Sequence, residues 1–145
     1  MPSSNLKSAD TLMLNETELR DQYARLQQRA LRLGSRGQSR IDQLAAAMQS
    51  PPKDRADEYL RPLKGATDDA MAAVLCYHRA LPFLETANSL IESLAKPSPS
   101  ADDEEWRDQL LFRLAEVLEV AADLISEGEA HLEHGAGVEI PGSFL

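Results

Sequence analysis

The sequence predicts an all-α chain, an antiparallel helical bundle of four to five helices with two long outer helices. Three observations predict it. Apolar residues recur at helical spacing through 15–49 and again through 101–134, a period near 3.6 rather than the alternation of strands. Composition agrees: of 145 residues 43% are hydrophobic and only 5% aromatic, with Ala and Leu prominent and few β-branched residues, which favours helix over sheet. Cap residues and prolines fall at the ends of the periodic runs. The length suits one domain with a real core. That domain is expected at 15–134, between a flexible N-terminal arm, 1–14, and an irregular C-terminal tail, 135–145.

The arm is Ser-rich and polar until Leu12, Met13 and Leu14, whose turn can dock on the domain. The first long helix opens at Asn15 with Glu18 three residues on, a capping-box spacing. At about 100° per residue, Leu19, Tyr23, Leu26, Ala30, Leu33, Gly37, Ile41, Leu44 and Met48 share one narrow sector. Their phase is unbroken across Gly34 and Gly37, so one helix over 15–49 is expected, with a loop at 34–38 as the alternative. Glycines on the buried side would let a neighbouring helix come close. Arg25, Arg29, Arg32, Arg36 and Arg40 form an edge flanking that apolar stripe.

Pro51 and Pro52 end this helix, because the residue before a proline is pushed out of helical conformation. A short helix over 53–60 follows, with Tyr59 and Leu60 turned inward, stopping before Pro62. Gly65 marks a turn, and Thr67, Asp68 and Asp69 start the next helix, 67–80. There Met71, Val74, Leu75, His78 and Leu81 centre on one direction, whereas Leu84, Ala87, Ile91 and Leu94 centre on nearly the opposite one, with Pro82 at the change of phase. An interior proline removes a hydrogen bond and crowds the preceding turn. A break near 79–82 and a separate helix at 83–96 are therefore expected. The alternative is one helix buried on different sides along its length.

Lys96-Pro97-Ser98-Pro99 links to the last helix, which Ser100 caps and Asp102, Asp103, Glu104 and Glu105 suit to the positive end of the helix dipole. Leu110, Leu111, Leu114, Val117, Leu118, Ala121, Leu124, Ile125 and Leu132 form its core stripe. Opposite lies an acidic face of Glu105, Asp108, Glu116, Glu119, Asp123 and Glu127 with Phe112 in its middle. His131 and His134 favour the C-terminal pole, and Gly135 is placed for a left-handed cap.

The formal net charge of −9 is unevenly spread. Residues 20–64 hold ten Lys or Arg against five Asp or Glu, and residues 65–145 hold four against sixteen. Such a chain can pair its own halves or offer faces of opposite sign to partners. No apolar run reaches membrane-spanning length and the first residues lack a charged segment followed by an apolar one, so a cytoplasmic chain is expected. The single Cys76 cannot form an intramolecular disulfide.

Candidate chemistry is sparse. Glu127, His131 and His134 share one side of a helix and could hold a divalent ion, but no fourth ligand is apparent in the sequence, and histidines at a helix C-terminus suit the dipole without metal. Cys76 and His78, two residues apart, point about 200° from one another on a helix and cannot form a thiol–imidazole pair. Phosphate-loop, nucleophile-elbow, Cys-x-x-Cys and EF-hand patterns are absent from the sequence. The expectation is a non-enzymatic protein-binding module with no cofactor or metal: a small acidic chaperone, adaptor or neutralising partner. It would act through the arginine edge and through Phe112, Glu116 and Glu119, with helix-mediated contact to another protein or to a second copy. Length supports this, because a helix over 15–49 spans about 50 Å and shorter middle helices would leave part of its stripe uncovered. Two alternatives come from other classes. One is a nucleic-acid-associated regulator using Arg25 to Arg40, disfavoured by the acidic balance and the lack of stacking aromatics. The other is a metal-dependent enzyme at Glu127, His131 and His134.

Overall fold

A computed structural model describes residues 15–96 and 103–139. Among them are three helices and no strand: α1, Glu16–Met48; α2, Ala56–Ala95; and α3, Asp103–Gly135. The all-α expectation stands, and the count of four to five is corrected to three. The three elements expected at 53–60, 67–80 and 83–96 are one helix of 40 residues running through both Pro62 and Pro82. The caps and linker expected at 97–102, Leu12 to Leu14, and the apolar end at Phe144 and Leu145 lie outside the described residues.

Helix α1 runs straight through its glycines, as its phase requires. The Asn15 side chain accepts a hydrogen bond from the Thr17 amide at 2.8 Å, so the cap is made one residue earlier than a capping box would make it. The stripe from Leu19 to Leu44 is buried as expected, with Tyr23, Ile41 and Met48 half-buried at its margins. At Gly34 and Gly37 the side chains of α2 come close to the α1 backbone. A Cβ on Gly34 would lie 2.8 Å from the Tyr77 ring, and one on Gly37 would lie 2.7 Å from Val74 Cγ2.

Helix α2 explains why the proline break does not occur. Leu63, Ala66, Ala70, Ala73, Ala80, Leu84, Ala87 and Leu94 are all buried, with Tyr77 and Ile91 packed against the core between them. These positions alternate in steps of three and four, the 3.5-residue repeat of helices packed at a shallow angle. The repeat never changes phase. The phase change read from the sequence came from large side chains in the first half of the helix, where the buried stripe is mainly alanine: Ala66, Ala70, Ala73 and Ala80. Met71, Leu75 and His78, expected inward, face solvent, with Met71 53% and Leu75 50% exposed. Pro82 is exposed, so water can reach the His78 carbonyl that its missing N–H leaves free. Thr67 and Thr86 sit inside the helix, their hydroxyls donating to the Leu63 and Pro82 carbonyls at 2.7 and 2.9 Å. Gly65 is an exposed interior residue of α2, not a turn.

Helix α3 carries the same repeat through Leu111, Leu114, Leu118, Ala121, Ile125, Gly128, Leu132 and Gly135. Gly135 closes the helix without a left-handed cap. Its missing side chain instead admits α2, since a Cβ there would lie 3.1 Å from Asp69 Cβ. The chain runs up, down and up: Gly37 meets Val74 and Gly34 meets Tyr77, Gly128 meets Ala73 and Cys76, and Arg107 reaches Glu16. Helix α2 is therefore antiparallel to both neighbours, and α1 and α3 run parallel, side by side. One continuous core joins all three helices, and Leu44, Leu63 and Ala66 make a smaller cluster at one end. There Tyr59, half-buried, donates its hydroxyl to the Ala47 carbonyl at 2.9 Å. No helix among the described residues is long and apolar enough to cross a membrane.

Candidate functional site

The five arginines of α1 divide by their angle around the helix. Arg29 and Arg40 turn toward α3. Arg29 donates from Nε and Nη2 to the two carboxylate oxygens of Glu129, at 3.2 and 2.5 Å, and from Nη2 to Ser126 Oγ at 3.2 Å. The hydrogen bond to Glu129, with its charge, raises the Arg29 pKa further and keeps the pair ionised. Arg40 donates to the Gly135 and Val138 carbonyls at 3.2 and 2.6 Å, tying down the end of α3. Arg25, Arg32 and Arg36 are exposed and make no ion pair or side-chain hydrogen bond among the described residues.

The arginine edge and the acidic helix do meet, but not through the acidic face. Glu129, on the flank of α3, takes Arg29, while Phe112, Glu116 and Glu119 stay exposed and Phe112 keeps 48% of its surface in water. Two faces of opposite charge therefore remain on the outside. Between Arg36 and Arg40 on α1 and Leu132 and Ala136 at the end of α3 runs an open groove of about 400 Å³, floored by Ser35, Ser39 and Gln43. A second groove, of about 320 Å³, separates α1 from α2 beside Tyr23, Leu31, Tyr77 and Leu81, and Leu31 at its lip is 58% exposed.

The grouping that sequence reasoning missed lies on the α2/α3 seam. Cys76, Glu127 and His131 bring one donor atom each to within 4.8 Å of one another. His134, the third member expected from spacing, turns away to Asp69, with its Nδ1 2.7 Å from Oδ2. Asp69 also faces His131 Nδ1 at 3.7 Å, while His131 Nε2 lies 3.9 Å from Glu127. Burial, with a smaller contribution from the Glu127 charge, pushes the Cys76 thiol up. The hydrogen bond to Asp69, then the charge of that carboxylate, raises His134. His78 is exposed with its ring against Tyr77. The sequence carried one trace of this grouping: Asp69 and Cys76 stand seven residues apart and so share a side of α2. Only the docking of α3 turns that side toward Glu127 and His131.

Comparison with protein-family models, curated proteins and solved structures finds no match to this chain.

Proposed function

We propose that this chain is a non-enzymatic protein-binding module, a small acidic chaperone, adaptor or neutralising partner that works in the cytoplasm and grips another protein through helical faces. The observation that carries it is surplus apolar surface. With three helices packed, Phe112 still stands in water between Asp108, Glu116 and Glu119 on α3, and Met71 and Leu75 stand in water one turn apart on α2. The surplus is not where helix length placed it. The 40 residues of α2 cover α1 along its stripe, and α2's own outer side and the acidic face of α3 are left uncovered.

An aromatic ringed by carboxylates fits an amphipathic partner helix whose apolar ridge is flanked by Lys or Arg. Arg25, Arg32 and Arg36, unpaired among the described residues, offer a second anchor to acidic groups of the same partner. The test is recovery of a single binding protein from the native host, followed by titration with variants. Phe112→Asp is expected to weaken binding at least tenfold, a loss in keeping with truncating an aromatic anchor. Joint reversal of Arg25, Arg32 and Arg36 to Glu is expected to slow association and reduce its salt dependence. Undiminished binding by both variants would overturn the choice of surfaces. A dimer by light scattering that the same substitutions dissolve would make a second copy the occupant.

A further inference from the structure

We propose that Cys76 of α2 and Glu127 and His131 of α3 form a binding site for a divalent transition-metal ion of the zinc class, stapling α2 to α3. The donor set is mixed thiolate, imidazole and carboxylate, the chemistry that zinc favours over magnesium or calcium. In tetrahedral zinc sites the donors stand roughly 3.3–3.8 Å apart. The three donor atoms here already lie within 4.8 Å, and the Glu127 side chain, 61% exposed, is free to swing the remaining distance. The fourth position is left to solvent.

Two further features suit the seam to an ion. Gly128 lets the α3 backbone settle directly over the cysteine: a Cβ there would lie 3.0 Å from Cys76 Cβ and 3.3 Å from the Ala73 carbonyl oxygen. Glu127, its neighbour in the chain, and His131, a turn later, are thereby carried to the edge of the thiol. The second feature is the orientation of the imidazole. His131 presents Nε2 on the side of Glu127 and turns Nδ1 to the Asp69 carboxylate. At 3.7 Å Asp69 makes no hydrogen bond to His131 here, but it stands on the side from which a carboxylate fixes the tautomer of a metal-bound histidine. His134 belongs to Asp69 and not to the ion, which separates this site from a simple pair of surface histidines. The site shares no residue with Phe112, Arg25, Arg32 and Arg36, whose substitutions test partner binding, so either proposal can fail alone.

Cobalt(II) titrated into the reduced full chain, purified without a histidine tag, serves as the probe, with zinc as competitor. The expected result is one equivalent bound, with thiolate-to-cobalt charge-transfer absorption and the strong visible bands of tetrahedral coordination, both removed by zinc. Cys76→Ser is expected to abolish the charge-transfer absorption. Glu127→Gln and His131→Gln change exposed or half-exposed side chains and are expected to leave helix content by circular dichroism unchanged, so they test the site even if the buried serine disturbs folding. Each is expected to weaken binding about 100-fold, Asp69→Asn about 10-fold, and His134→Gln hardly at all. Cobalt binding without a thiolate band, affinity that survives His131→Gln, or an equal loss with His134→Gln would overturn the proposal.

Discussion

Glycines inside the three helices do two different jobs, and alanine substitution separates them. Gly65 is exposed, with nothing within 4 Å of where a Cβ would stand, so Gly65→Ala should stabilise the chain by about 1 kcal/mol through helix propensity alone. Gly37 and Gly128 are seats for a neighbour, and a Cβ on Gly128 would lie 2.6 Å from Leu33 Cδ2. Gly128→Ala should therefore cost about 1–3 kcal/mol despite the same gain in propensity, as overpacked cores do. Urea unfolding of the two variants checks the contrast, and equal effects would mean that α3 is not held against α1 and α2 at that point. His134 sets a pH dependence. Its folded pKa is raised above the ordinary 6.5 by Asp69, so its contribution is fully present below 6.5 and fades as pH rises through the folded value. Across from it on α2 the facing charge is Asp69, which is shared with His131 on α3 itself. The difference in urea midpoint between the parent and His134→Gln should be visible about a unit below 6.5 and vanish well above it; a difference that grows with pH would contradict the pairing.

At the scale of the element, α2 shows how tertiary packing overrides a local breaker. A proline inside a helix costs about 3 kcal/mol, and α2 contains two, yet it is covered by α1 along one side and by α3 along another. Pro82 is exposed and contributes no core packing, so Pro82→Ala should restore a backbone hydrogen bond and stabilise by about 1–3 kcal/mol. Thermal unfolding reads this directly, and a loss of stability would mean that the proline ring supports a bend the packing needs. Core truncation behaves in the opposite sense. Leu118 is wholly buried at the centre of the α3 stripe, and Leu118→Ala should cost about 2–5 kcal/mol. The bidentate Arg29–Glu129 pair, with side chains 37% and 42% exposed, adds no more than about 1 kcal/mol and serves to fix the register of α1 on α3.

For the whole molecule, the net charge of −9 is organised into faces rather than neutralised inside. The positive half of the sequence gives two of its five ridge arginines to α3 and keeps three outside, and the acidic face of α3 keeps Phe112, Glu116 and Glu119 outside. Reversing Arg25, Arg32 and Arg36 together should change the unfolding free energy by no more than about 1.5 kcal/mol, because each surface change away from internal contacts costs about 0.5 kcal/mol or less. The same change should alter partner association, and a large loss of stability would place those arginines in the fold rather than in binding.

The limits of α1, the end of α3 and nearly all of their buried residues were legible in the sequence, because a stripe of large apolar side chains at constant phase has only one way to be buried. The arrangement of α2 was not, because the first half of its buried stripe is mainly alanine, a weak hydrophobic signal drowned by Met71, Leu75 and Leu81 on other faces. Nor could the seam of Asp69, Cys76, Glu127 and His131 be read from spacing, since its two halves lie far apart along the chain. What sequence alone settled was the all-α class, the glycine-tolerant length of α1 and the uneven charge along the chain, all set by single residues and the helical period. Only the tertiary structure decided that α2 is unbroken, which apolar residues stay in water and which ionisable groups face each other, because each depends on how closely one helix can approach another.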